Sequence, residues 1–226
     1  FEGRFTTHGK TIELHANLPP EPHAIHGHGW QATWKIEAQS EASITLLYRH
    51  ETDAWPWDYE ARQTFTLDES ALMIALTLSN HSDAPMPAGL GWHPYFEREG
   101  AELLLATTSI WQVDEETGRG FPEAVTNDTD LSQGQQAEHL LLDHSFDLIR
   151  NSITLTWPTH TVHMESDPIF GKATVYVPAE QSFFCVEPIS HAPNAMNSAL
   201  SEAATGLKWL GKGEQLSGTI KLSVDH

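Results

Sequence analysis

Leu72-Met73-Ile74-Ala75-Leu76-Thr77-Leu78 decides the fold class. Large aliphatic side chains stand at every second position, the period of a strand that buries one face, whereas a helix would need spacings of three and four. Outward from this stretch the pattern recurs. Ile153, Leu155 and Trp157 alternate with Thr154 and Thr156, and Ile220, Leu222 and Val224 alternate with Lys221, Ser223 and Asp225. Further strands are predicted at 11–13, 31–37, 44–48, 61–67, 103–107, 109–113, 161–165, 174–177 and 182–186. Turn-rich punctuation separates them at 80–87, 116–120, 178–181 and 211–213. Only 202–208 offers a helical turn, and no internal repeat is present. The polar stretch 126–138 reads as a long surface loop rather than a domain boundary. Many short strands with almost no helix predict an all-β chain, a large antiparallel β-sandwich forming one domain over 1–226.

The composition fits that reading and excludes several classes of partner. An apolar content of 39% with eight tryptophans is enough for a substantial core. Against 31 acidic residues stand 12 Lys and Arg, a formal charge of −19. Nucleic acid and anionic membrane both require a cationic face, so neither is an expected partner. The single cysteine, Cys185, allows no internal disulfide and fits a reducing compartment, so a cytoplasmic location is expected. No apolar run has membrane-spanning length. The sequence begins at Phe1 rather than Met, and an N-terminal piece is expected to be missing.

Five segments carry residues suited to chemistry. His93 follows Gly89-Leu90-Gly91-Trp92 and precedes Pro94-Tyr95-Phe96, and Glu187 follows the apolar run Ser182-Phe183-Phe184-Cys185-Val186. An imidazole and a carboxylate on rigid strands make an acid–base pair whose pKa values burial can tune. Three histidines crowd His23-Ala24-Ile25-His26-Gly27-His28-Gly29-Trp30. On a strand, His26 and His28 would share a face, as metal-binding pairs do. However, no carboxylate follows before Glu37, so a zinc site would need a ligand from elsewhere. Hydrogen-bonded histidines in a Gly-rich turn, or imidazoles that bind hydroxyls of a neutral ligand, are the other two readings. No metal and no cofactor is expected. Asp143, in Asp143-His144-Ser145-Phe146, is a possible acceptor for hydroxyl groups or an ordinary turn residue. Trp30 and the Trp55-Pro56-Trp57 cluster offer flat indoles for the C–H face of a pyranose, with core packing as the alternative for the cluster.

In this order, Ile25-His26-Gly27, Trp92-His93-Pro94-Tyr95-Phe96, Asp143-His144-Ser145-Phe146 and Glu187-Pro188 with Pro193-Asn194-Ala195-Met196-Asn197 resemble the aldose 1-epimerase (galactose mutarotase-like) family over nearly the whole chain. The resemblance implies that family's large β-sandwich, a monosaccharide substrate and cofactor-free interconversion of α and β anomers. Glu187 would be the general base and His93 the general acid, with His26 and Asp143 binding the sugar. Trp30 and Trp57 are added to the expected substrate-binding set from their aromatic character.

Two departures stand out. The arginine that the family places before its first hairpin would lie upstream of Phe1, with Arg4 a poor substitute, and Trp92 replaces the usual Asn. The expected resting state has Glu187 ionised and His93 protonated, each stabilising the other. A non-catalytic sugar-binding sandwich and a hexose 6-phosphate mutarotase are the competing readings. The second would need basic residues near the C6 end of the sugar. Oligomeric state is not legible.

Overall fold

The structure is a computed structural model that describes residues 1–114 and 116–226. Among them the chain runs through β1 (Arg4–Thr7), β2 (Lys10–Glu13), β3 (Lys35–Gln39), β4 (Ser43–His50), β5 (Tyr59–Leu67), β6 (Ala71–Asn80), β7 (Met86–Ala88), β8 (Tyr95–Glu97) and β9 (Glu102–Val113). It continues through β10 (Gly120–Glu123), β11 (Gln135–Gln136), β12 (Leu142–Trp157), β13 (His160–Ser166), β14 (Lys172–Val177), β15 (Phe183–Ile189), the short helix α1 (Glu202–Thr205), β16 (Lys208–Leu210) and β17 (Gln215–Asp225). The architecture is the expected antiparallel β-sandwich. Thirteen strands form one continuous sheet whose main path is β3-β4-β5-β6-β17-β13-β12-β14-β15-β8, while β1–β2 and β7–β16 form small two-stranded sheets.

The sheet becomes two layers because β12 and β9 pass between them. The first part of β12, Leu142 to Asp147, pairs with β14, and its last part, Ser152 to Trp157, pairs with β13. Strand β9 pairs with both parts, with register shifts between Asp147 and Leu148 and between Leu148 and Ile153. Such irregularities bend a strand and let it change layers. The separately predicted strands at 103–107 and 109–113 are therefore one strand, β9. Asp143, expected in a turn or loop, lies within β12.

Alternation sorts the residues of the layer β9-β12-β14-β15-β8. Ile110, Phe146, Ala173, Val175, Val177, Phe184 and Val186 point inward into the main core. Their neighbours Trp111, Asp143, Ser145, Thr174, Tyr176, Cys185 and Glu187 take the opposite face by the two-residue period of a strand. A second core of Phe5, Trp57, Met86, Ala88, Leu210 and Leu216 lies where the β7–β16 sheet and the N-terminal hairpin pack.

The segment predicted as a strand at 31–37 enters the sheet only at Lys35. Residues 23–30 form irregular backbone in which His26 and Gly27 have φ of 58° and 67°. Positive φ is inexpensive at Gly27 and uncommon at a histidine, so the turn holds His26 in a conformation that most side chains avoid.

Candidate active site

Register builds the site. In antiparallel pairing, residues directly opposite one another project from the same face. Glu187 is opposite Thr174, which is opposite Ser145, which is opposite Trp111. One step along, Tyr95 is opposite Cys185, Cys185 opposite Tyr176 and Tyr176 opposite Asp143. Continuing the β8 backbone back by two residues brings His93 beside Glu187, and its Nε2 lies 3.2 Å from Glu187 Oε1. Two rows across five strands thus collect His93, Glu187 and Asp143 on one face, although the residues are scattered over nearly a hundred positions of sequence.

Each group in the rows has a distinct environment. Glu187 is buried (6% exposed) within β15, not at its end, and no hydrogen bond other than its contact with His93 reaches its carboxylate among the described residues. Burial, and next the charge of Asp143, push its pKa up to about 8. His93 is held below the usual imidazole range by burial and then by His26, whose ring lies 5.1 Å away edge-on. His26 is itself lowered by burial, with Asp143 acting in the opposite direction.

The expected resting pair, with attraction lowering Glu187 and raising His93, is corrected here: desolvation acts on both partners and reverses both shifts. Burial therefore favours a single proton on the pair, carried by the Glu187 carboxyl beside a neutral His93 imidazole. On the far side of His93 the Tyr95 ring stacks in parallel, 4.9 Å away. Tyr95 is exposed and was not anticipated; its place two residues beyond His93 on a strand was the available signal.

The remaining expected residues divide. Asp143 is exposed on the same face. His26 is brought against His93 by its loop. Trp30 is 44% exposed, donates its indole N–H to the Ile25 carbonyl and meets His26 edge-on at 5.8 Å, which places it at the rim. Trp57 does not reach the site. It is buried in the second core, stacked near Phe5 and tilted against Trp55, and it presents no free face to a ligand. Its flanking Pro56 and Trp55 gave no sign of which indole would be covered.

The amides of Asn194 and Asn197, in the segment that follows Glu187-Pro188, lie away from the Glu187 carboxylate. They donate to the carbonyls of Gly118 and Arg4 and fasten loops together. Arg4 pairs with Glu13 on the exposed N-terminal hairpin.

Comparison with known proteins assigns the chain to a family. The sequence model of the aldose 1-epimerase family matches residues 2–223. The chain belongs to the aldose 1-epimerase family. Uncharacterized protein YphB of Escherichia coli K12 is 28% identical over 207 residues, an alignment covering 84% of this chain and 69% of YphB. In the same organism, uncharacterized protein YihR is 23% identical over 210 residues, covering 88% and 68% of the two chains. Among solved structures, a galactose mutarotase-like protein from Clostridium acetobutylicum superposes with a TM-score of 0.87 at 18% identity, covering all of this chain and 76% of the other. At those identities the likeness is one of fold. No helix among the described residues is long and apolar enough to cross a membrane.

Proposed function

We propose that this aldose 1-epimerase family member is a hexose mutarotase in which Glu187 and His93 exchange protons with the anomeric centre. The observation that carries this reading is the 3.2 Å contact between His93 Nε2 and the buried Glu187 carboxylate on a strand-built face shared with Asp143. Ring opening requires loss of the proton on O1 and gain of one on the ring oxygen. Both oxygens are bonded to C1, so an acid and a base must converge on a single carbon, as two adjacent side chains can. Glu187 removes the O1 proton while His93 protonates the ring oxygen. The ring opens to the aldehyde, the C1–C2 bond rotates, and closure on the other face reverses both transfers. Each group is expected to supply roughly 10²–10⁴-fold.

The protonation states follow from the single proton that burial places on the pair. The Glu187 carboxylate with His93 imidazolium contains as many protons as the Glu187 acid with neutral imidazole, so the reactive form is reached by one transfer along an existing contact. A carboxylate raised to about 8 by burial is a stronger base than an ordinary one. Asp143 accepts from sugar hydroxyls, His26 binds a further hydroxyl beside His93, and Trp30 and Tyr95 supply apolar surface at the rim.

A 6-phosphate substrate is less well supported. The cation on this face, Lys172, is buried, paired with Asp147 and bonded to the Ala204 carbonyl at 3.0 Å, leaving no free charge for a phosphate. Polarimetry of freshly dissolved α-D-glucose and α-D-galactose, with wild type beside Glu187→Gln, tests the reading. Acceleration by wild type alone supports it. Retained sugar binding with no acceleration by either protein would favour a carbohydrate-binding sandwich instead.

A further inference from the structure

Two residues beyond His26, the same irregular loop sends a second histidine away from the reaction centre. The ring of His28 stacks on that of His50, at the end of β4, with centroids 4.4 Å apart and planes 9° from parallel. Asp53 follows in the β4–β5 connection, its Oδ1 3.3 Å from His50 Nε2. One donor atom from each of His28, His50 and Asp53 lies within 4.8 Å of the others. We propose that these three residues bind a divalent cation of the zinc class at a site separate from the acid–base pair, clamping the His26-bearing loop to the β4–β5 hairpin.

The arrangement around the donors distinguishes this cluster from a chance meeting of polar side chains. Each imidazole is held through its Nδ1 by a tyrosine hydroxyl: His28 by Tyr59 at 3.0 Å and His50 by Tyr48 at 3.2 Å. Both tyrosines lie on the paired strands β4 and β5. Fixing one ring nitrogen sets the tautomer and leaves the other free, which is how metal-ligating histidines are commonly supported; because the two rings lie in parallel planes, sharing an ion requires one of them to turn. The Asp53 carboxylate is fixed in turn by the Trp55 N–H, which donates to Oδ1 at 2.8 Å.

His50 is buried, whereas the Asp53 side chain is 60% exposed and leaves an entry path. Three protein ligands leave a fourth position for water in tetrahedral coordination. Without the ion, His50 Nε2–H donates to Asp53 or to the Trp55 carbonyl at 3.3 Å. With it, the proton occupies Nδ1 and the Tyr48 hydroxyl changes from donor to acceptor, a role that hydroxyls can exchange.

The competing ligand set is His93, Cys185 and Glu187, whose donors also lie within 4.8 Å of one another, so the test must separate the two. Chelator-treated full-length chain is titrated with Co(II), followed by its visible absorption, and the bound ion is then displaced with Zn(II). The expected result is one equivalent per chain, with affinity reduced more than about tenfold in His28→Gln and Asp53→Asn and about 10–100-fold in Tyr59→Phe. Cys185→Ser and Glu187→Gln should bind as wild type does. Asp53 is exposed, so Asp53→Asn keeps the fold and makes its result decisive even where His28→Gln does not express. Absence of a Co(II) spectrum in wild type overturns the proposal. So does binding that survives Asp53→Asn, or a thiolate charge-transfer band that disappears in Cys185→Ser.

Discussion

His26 and His28 lie two residues apart yet serve clusters built on different foundations. The cluster joined by His26 stands on paired strands: Glu187 on β15 and Asp143 on β12, with His93 on the approach to β8. Its central carboxylate is buried with one partner, and it is pushed up to about 8. The cluster joined by His28 stands partly on loops. Its carboxylate, Asp53, is largely exposed and is bonded to the Trp55 backbone. The difference lies in solvation. A buried carboxylate beside an imidazole holds a proton that can be moved. A solvated carboxylate beside two imidazoles presents oxygens that a cation can reach. The same residue types therefore acquire different chemistry from their burial.

The sharpest way to break that contrast is to remove the buried base. Glu187→Gln is expected to lower kcat by roughly 10²–10⁴-fold in polarimetry, whereas Asp53→Asn should change kcat far less. Equal losses would mean that the two clusters act as one.

Next comes the fate of the two tryptophans. Trp57→Ala should cost about 3–5 kcal/mol in denaturant unfolding, the usual range for a buried aromatic. Trp30→Ala should leave unfolding within about 0.5 kcal/mol, as surface changes do, and raise KM. A large unfolding effect at Trp30, or none at Trp57, would reverse their assignments.

The pH dependence of kcat/KM sharpens the account of the single proton on the pair. A bell is expected whose alkaline limb lies near 8, where the single proton leaves the pair. Its acid limb lies below the ordinary imidazole pKa of 6.5, where a second proton arrives on His93. An acid limb below the ordinary carboxyl value of 4.5, with the alkaline limb above 6.5, would show that mutual attraction outweighs burial.

The smallest effect is on stability. Folded Glu187 binds its proton up to about 8, while the unfolded carboxyl releases it near 4.5. This group's contribution is therefore fully present below 4.5 and is lost as pH rises through 8. Glu187→Gln should accordingly raise Tm relative to wild type more at pH 9 than at pH 5, as scanning calorimetry can check.

Much of the fold was legible in the sequence because a two-residue period needs no long-range information. Leu72 to Leu78 and Ile153 to Trp157 declare their buried faces by alternation alone. Asp143 was harder to read because it sits among polar residues in a strand whose outer face lines the site. His50 and Asp53 carried no signal, since no local spacing connects them to His28; for the Gly-rich segment 23–30 a strand face and a turn were both open, and the structure makes it irregular backbone. The protonation state was misjudged for a related reason, because attraction between two named residues can be anticipated from their identities, but the burial that opposes it cannot.

By itself the sequence determined the layer class and the inward faces of the strands, and it singled out Glu187 and His93 as the proposed base and acid. These depend on side-chain type and on a periodicity of two. The tertiary structure alone decided which residues meet. Strand register put Asp143, Glu187 and His93 on one face, the bends in β12 and β9 made two layers of one sheet, and a turn at His26 and Gly27 separated two neighbouring histidines. Register and burial are properties of pairs of distant segments, and no single segment encodes them.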